Sequence, residues 1–281
     1  MFEFDNNTTR FSLLNAFRLA ETSQLAYASS WDEVKSQVCG EWGFANFQPF
    51  DKKDTEAFIC GNDAMLILAF RGTQTLEDWQ TDFEVELVKS NVGRVHRGFT
   101  ESLDYIWDEI KQSIGKFRAK NQKIWITGHS LGGALATLAV DRLTEEDEDV
   151  SGLYTFGQPR VGDKEFAENF DMKIKSRSFR FVNDEDIVTR VPPRLLGYEH
   201  IGTVRFFDYQ GVLYKDNIFW KKWLSFSESA AARSLDRFSE LKSQYPNGID
   251  DHSLNRYLAN IRKNYAKEKG PKTYKDYLAG M

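Results

Sequence analysis

Residues 123–140 read KIWITGHSLGGALATLAV. The run begins as a short apolar stretch typical of a buried strand, and it ends rich in Ala and Leu, which favour a helix. Between the two parts stands G-x-S-x-G, with Ser130 between Gly128 and Gly132. A strand, a tight turn and a helix are the context of a nucleophile elbow, where the serine sits on a strained turn. The run therefore predicts a nucleophilic Ser130, the alternative being a glycine-rich turn whose serine only caps the helix.

Strands and helices alternate on both sides of this run. Predicted strands cover residues 57–60, 64–70, 123–127, 153–156 and 178–182, with a hairpin at 204–209 and 212–214. Predicted helices cover residues 8–27, 100–119, the stretch after the serine to about Leu143, 163–174 and 225–262. The alternation predicts an α/β fold, a mostly parallel sheet with helices on both faces. No Pro/Gly linker divides the chain, which predicts a single domain over 1–281 with a core at 57–262 and a basic tail at 263–281.

The composition excludes several classes of function. The 281 residues carry 37 Lys and Arg against 42 Asp and Glu, a net charge of −5, whereas nucleic-acid binders are usually basic. A hydrophobic fraction of 41% and an aromatic fraction of 14% supply a packed core and exclude intrinsic disorder. With only Cys39 and Cys60, a disulfide-dense scaffold and a cysteine-rich zinc module are excluded, and two thiols in a reducing compartment are expected rather than a bridge.

The sequence also bears on location. Its longest apolar run, residues 64–70, falls far short of the roughly 20 residues that a membrane-spanning helix needs. The first residues lack the basic and apolar regions of a signal peptide. The predicted location is therefore the cytoplasm by default, with secretion after removal of a leader as the alternative.

A serine nucleophile needs a general base, and four histidines compete for that role. With a nucleophile elbow the order along the chain is Ser, acid, His, which excludes His96 because it precedes Ser130. His129 is held inside the elbow itself. His200 precedes the predicted hairpin and is more typical of a structural, hydrogen-bonding histidine. His252 stands in a loop that opens a late helix, where a base can reach back to the sheet edge, and it is the predicted base.

The acid is expected where a strand ends. The predicted strand 178–182 runs directly into three carboxylates, Asp184, Glu185 and Asp186. Asp208, after the following strand, is a more distant candidate. Each of these carboxylates could instead cap a turn, so the spacing alone does not determine which of them is the acid.

The chain resembles the class 3 lipases, the family typified by filamentous-fungal triacylglycerol lipases. The resemblance rests on stretches that occur in the family's order: FRGT at 70–73 followed by Trp79, VHRGF at 95–99, GHSLGGA at 128–134, TFGQPRVG at 155–162, and Asn183, Asp186-Ile187-Val188 and Val191-Pro192-Pro193. Together with the apolar run before FRGT and the stretch around His252, they span roughly residues 64–255. The first 55 residues and the segment 215–248 match nothing in the family pattern.

The resemblance implies an α/β-hydrolase fold and a serine carboxylester hydrolase that forms an acyl-enzyme. It places the acid at Asp186, with Asp184 as the fallback, and it matches His252 to the histidine before the family's terminal helix. Ser130 would attack the ester carbonyl, His252 would take its proton, and Asp186 would hold the imidazole in the correct tautomer. This chemistry needs no cofactor and no metal. The sequence carries no zinc-protease, P-loop or dinucleotide-binding motif.

The resemblance further implies an oxyanion hole and a lid. The oxyanion donors would be the backbone N–H groups of Leu131 and Thr73. At the family's lid position, within residues 75–84, three apolar residues share one helical face: Leu76, Trp79 and Phe83. As a lid they would cover the acyl groove and open at a lipid–water interface. The alternative is a surface helix that buries a modest stripe.

Because a fold does not determine a substrate, several functions stay open. A lipase that cleaves acyl esters of glycerolipids is the leading expectation. A phospholipase A1, a feruloyl-type esterase and a catalytically silent lipid-binding relative are the alternatives, and the complete Ser-Asp-His set argues against the last. No protein or nucleic-acid partner is inferred. The basic tail from Arg262 is expected to be solvated, with contact to a membrane surface as the alternative.

Overall fold

The central sheet of the computed structural model, which describes residues 2–73, 85–118, 122–215 and 247–270, has eight strands in these ranges. In spatial order they are β1 (Asn46–Lys52), β2 (Thr55–Asn62), β3 (Met65–Phe70), β6 (Lys123–His129), β7 (Val150–Phe156), β9 (Ser178–Asn183), β11 (Thr203–Phe207) and β12 (Leu213–Tyr214). A small antiparallel sheet holds β10 (Tyr198–Glu199), β8 (Gly162–Asp163), β5 (Arg94–His96) and β4 (Leu87–Lys89). Strands β3, β6, β7, β9 and β11 pair in parallel, which confirms the predicted α/β architecture.

Helices cover both faces of the central sheet. They are α1 (Leu13–Leu25), α2 (Trp31–Lys35), α3 (Arg97–Phe117), α4 (Leu131–Glu145), α5 (Lys164–Ile174), α6 (Gly248–His252) and α7 (Leu254–Lys269). Successive residues of a strand point to opposite faces, so Leu66 and Leu68 of β3 pack with α3, α4 and α5. Ile67 and Ala69 of the same strand pack with α1 and α7. Because helices cover both faces of the sheet at this strand, β3 is apolar throughout.

The structure corrects several predicted boundaries. The core begins well before residue 57, because Phe2, Leu13 and Leu19 are buried against the sheet. The first helix starts at Leu13, where the Ser12 side chain accepts a hydrogen bond from the Asn15 N–H and caps it. The predicted basic tail from 263 begins inside α7, which continues to Lys269.

Strand β1 was not expected from the sequence. It pairs antiparallel with β2 at the edge of the sheet, and most of its side chains are only partly buried. An edge strand of this kind has no continuous apolar run, and it tolerates Pro49, which cannot donate to a ladder. Its pattern therefore does not stand out from that of a loop.

The structure also shows the state of the two cysteines and bears on the prediction that no helix crosses a membrane. Cys39 and Cys60 are both free, and Cys60 is buried. None of the helices in the described ranges is long and apolar enough to cross a membrane.

A buried carboxyl group on α4 makes stability depend on pH. Asp141 is only 4% exposed, with the Lys173 Nζ 3.6 Å from its Oδ1. Burial, aided by Glu145, raises the pKa of Asp141 from 3.8 to about 6. Between these two values the folded chain binds more protons than the unfolded chain, so stability falls as the pH rises through the window. We expect Asp141→Asn to raise the free energy of unfolding by about 1–3 kcal/mol at pH 8 and to change it little near pH 4.

Urea denaturation at both pH values measures this effect, and Asp149→Asn is a control of opposite sign. The Arg177 hydrogen bond lowers the pKa of Asp149, so the Asp149 carboxylate stabilises the fold at neutral pH and loses that effect in acid. An Asp141→Asn variant that is less stable than the parent at pH 8 would contradict the prediction, because the ion pair with Lys173 would then outweigh the cost of burial.

Candidate active site

Ser130 stands on the turn between β6 and α4. Its backbone has φ 57° and ψ −129°, a region that residues with a side chain rarely adopt. A Cβ on Gly128 would collide with the backbone of Gly132, and a Cβ on Gly132 would collide with the carbonyl of Phe70. The turn is therefore tight enough to require glycine on both sides of the serine. The Ser130 side chain makes no capping hydrogen bond to α4, which argues against a serine that only caps the helix.

Asp186 and His252 meet in a buried pair beside this turn. The His252 Nδ1 lies 3.0 Å from both carboxylate oxygens of Asp186. Asp186 also accepts hydrogen bonds from the Tyr257 hydroxyl at 2.6 Å and from the Val188 N–H at 2.9 Å. Burial by itself would raise the pKa of Asp186, but His252 and the hydrogen bonds outweigh it and hold that pKa below its ordinary value. Asp186 is therefore a carboxylate that fixes the Nδ1–H tautomer of His252.

The second ring nitrogen of His252 is left as the basic atom. Its Nε2 is buried and has no hydrogen-bond partner among the described residues. The ring lies against Gly157, where a Cβ would come within 2.8 Å of the His252 Cε1 and Nδ1 and 2.9 Å of the Asp186 Oδ2. Gly157 has φ +61°, so both its backbone and the space around it require glycine. In this arrangement the imidazole can accept a proton at Nε2 while Nδ1 stays bonded to the carboxylate.

The predicted oxyanion donors lie on the two segments that meet at Ser130. Leu131 is the first residue of α4, so its N–H has no partner within the helix. The segment that ends β3 passes directly over the serine, since a Cβ on Gly72 would lie 3.0 Å from the Ser130 Cβ. Thr73 follows it and lines a cavity of about 380 Å³ together with His252. The predicted lid residues Leu76, Trp79 and Phe83 lie outside the described residues.

The other candidates for the acid and the base are not part of the Asp186–His252 pair. Asp184 forms no hydrogen bond or ion pair with His252, which bonds to Asp186. Burial and the neighbouring Asp251 and Glu185 raise the pKa of Asp184 to about 6. Asp208 caps a turn by accepting the Gln210 and Val212 N–H groups. His200 lies among buried arginines, and burial together with Arg180 holds its pKa well below the usual range.

The structure adds three residues to the site whose roles the sequence did not indicate. Tyr257 donates to Asp186, and its place one turn into α7 after His252 was the available signal. His129, known from the elbow as a neighbour of Ser130, places its ring 4.6 Å from that of His252. Tyr27 bonds to His129 from the N-terminal region, where no local pattern singles it out.

The fold and this geometry place a serine on a strained strand-to-helix turn beside a buried aspartate–histidine pair, as expected for an α/β-hydrolase scaffold. Residues 67–196 match the model of the class 3 lipases. The chain is 34% identical over 160 residues to a lipase of Rhizomucor miehei, covering 53% of this chain and 44% of the relative. It is 35% identical over 153 residues to the secreted mono- and diacylglycerol lipase 1 of Fusarium solani, covering 51% and 45%. The chain thus spans less than half the length of each of these two curated relatives.

A solved structure agrees with these matches. The lipase of Rhizopus microsporus var. chinensis superposes with a TM-score of 0.59 at 27% identity, covering 69% of this chain and 74% of that one. The resemblance to the class 3 lipases and the α/β-hydrolase fold expected from it are therefore confirmed.

Proposed function

We propose that the chain is a serine carboxylester hydrolase that cleaves acyl esters of glycerolipids, a lipase with the triad Ser130, Asp186 and His252. The observation that carries the proposal is the buried Asp186–His252 pair, with both carboxylate oxygens 3.0 Å from Nδ1, beside a serine on a strained turn. A binding module needs none of these three groups in this relation. The similarity to proteins named as lipases supports an acyl ester as the substrate.

The reaction follows from the roles of these groups. The Ser130 Oγ attacks the ester carbonyl while the His252 Nε2 takes its proton, and the same proton then passes to the leaving alcohol. Asp186 stays ionised and stabilises the imidazolium that forms. The N–H groups of Leu131 and Thr73 would hold the oxyanion, and loss of one such donor typically costs about 10²–10³ in rate. Water then cleaves the acyl-enzyme by the same steps.

An activity panel tests the proposal. The chain would be assayed on p-nitrophenyl esters of increasing acyl length, triolein, phosphatidylcholine and methyl ferulate, and labelled with a fluorophosphonate. We expect labelling of the parent but not of Ser130→Ala, and hydrolysis of long acyl esters and triolein. A folded chain that resists the probe and cleaves none of these esters would be a silent relative. Preference for phosphatidylcholine or methyl ferulate would replace the lipase with a phospholipase A1 or a feruloyl-type esterase.

Two further proposals concern the chain as a whole. We propose one domain over 1–281, supported by the packing of α1 and α7 from the two ends of the described chain against one face of the sheet. The cytoplasm stays the location proposed from the sequence. The free thiols Cys39 and Cys60 support it, whereas the name of the Fusarium solani relative as secreted argues for the alternative.

A further inference from the structure

A series of hydrogen bonds joins the segment before Thr73 to the C-terminal end of α6, where His252 lies. The Gly72 N–H donates to the Tyr27 hydroxyl at 3.1 Å. The same hydroxyl lies 2.8 Å from the His129 Nδ1, and the His129 Nε2 lies 2.7 Å from the backbone carbonyl of His252. One phenol and one imidazole therefore connect parts of the site that are more than 170 residues apart in the sequence.

The direction of each hydrogen bond follows from the chemistry of the partners. A carbonyl oxygen only accepts, so the His129 Nε2 carries the proton and its Nδ1 is the acceptor. The Tyr27 hydroxyl must then donate to Nδ1 while its oxygen accepts from the Gly72 N–H. Burial, helped by His252, lowers the pKa of His129 to about 3, and burial raises the pKa of Tyr27 above its ordinary value. Both groups are thus neutral at working pH and keep these directions.

The contacts around Tyr27 leave it little freedom. The Arg71 guanidinium carbon lies 5.6 Å from the centre of its ring, and Arg71 is itself paired with Glu56. A Cβ on Gly72 would collide with the Tyr27 hydroxyl, so the two segments are in direct contact. Tyr27 follows α1, which is held to the sheet by the hydrogen bond of 2.9 Å between Ser23 Oγ and Thr127 Oγ1.

We propose that Tyr27 and His129 are positioning residues that hold the Gly72–Thr73 peptide and the C-terminal end of α6, with His252, in fixed positions around Ser130. The proposal rests on the proposed function, because it assigns Thr73 to the oxyanion hole and His252 to the base. It gives the N-terminal region, which carries none of the family's sequence motifs, a defined part in catalysis. The two residues act through backbone groups and touch no reacting atom.

The test is Tyr27→Phe, which removes the hydroxyl and keeps the ring. Displacements of about 1 Å in a catalytic site can cost about 100-fold in rate. We expect kcat on a p-nitrophenyl ester to fall by about 10- to 100-fold, with KM within about twofold of the parent, and fluorophosphonate labelling to slow by a similar factor. The split between kcat and KM reports positioning rather than substrate binding.

Tyr154→Phe is the matched control. The Tyr154 hydroxyl is also buried and accepts the Ser12 N–H at 3.2 Å, so this variant loses a tyrosine hydrogen bond to the same N-terminal region away from the site. We expect it to keep the parent's kcat, and Tm is measured for both variants. A Tyr27→Phe variant with the parent's kcat, or an equal fall in both variants, would overturn the proposal.

Two substitutions of His129 test the hydrogen bond between its Nε2 and the backbone carbonyl of His252. In His129→Gln the amide nitrogen can replace Nε2 and still donate to the His252 carbonyl, whereas His129→Leu has no donor. We expect the Gln variant to keep a kcat at least about tenfold above that of the Leu variant when both are folded by Tm. Equal kcat values in two folded variants would overturn the role of His129. An inactive, unlabelled parent would instead reject the proposed function itself.

Discussion

Ser130→Ala is expected to abolish ester hydrolysis, with a fall in kcat of about 10⁵- to 10⁶-fold, while the fold stays intact. Alanine keeps the Cβ on the strained backbone and removes only the nucleophilic oxygen, which does not cap α4. The stability of the variant should therefore match that of the parent. Turnover of a p-nitrophenyl ester and thermal unfolding, measured on the same preparation, test both halves of the prediction.

Histidine variants test the base of the same reaction. His252→Ala should be as inactive as Ser130→Ala, because residues that act as a unit in catalysis are not additive. His200→Ala serves as the control, since His200 lies among buried arginines and it is His252 that bonds to Asp186, so the variant should keep most of the activity. A folded but inactive His200→Ala variant beside an active His252→Ala variant would reverse the assignment of the base.

Asp186→Asn is expected to lower kcat by about 10³- to 10⁴-fold, as for triad acids in other enzymes. An amide in place of the carboxylate can donate to Nδ1, which favours the tautomer with its proton on Nε2, the wrong atom for a base. It also removes the charge that stabilises the imidazolium. Kinetics across pH 6–9 measure the loss, which should persist throughout because the pKa of Asp186 lies below its ordinary value.

Asp184→Asn is the matched control for the acid. Asp184 lies two residues away in the same loop, and its backbone carbonyl accepts from the Arg190 guanidinium at 3.1 Å. Because its side chain forms no hydrogen bond with His252, the variant should lose about tenfold or less in kcat, far less than the loss of a triad member. If the two asparagine variants exchange these outcomes, Asp184 is the acid and the family's motif is displaced by two residues in this chain.

The alternating pattern and the elbow were predictable because they depend on neighbours within one strand, one turn and one helix. The period of apolar residues located β3, β6, α3 and α4 to within a few residues. The edge strand β1 and the small sheet were not predicted, since short or half-buried strands have no apolar run of their own. The start of the core was not predicted for a related reason. Phe2 becomes a core residue only where α1 and its flanking segment pack on the sheet.

The sequence by itself determined that Ser130 stands on a glycine-flanked turn between a strand and a helix, because this depends on steric limits of adjacent residues. It also supplied the acid and the base as a short set of candidates. The tertiary structure decided which of them meet: Asp186 rather than Asp184 faces His252. It alone brought Tyr27 to His129. Hydrogen bonds between segments so distant in sequence depend on how helices pack on the sheet, and no local pattern of residues encodes that placement.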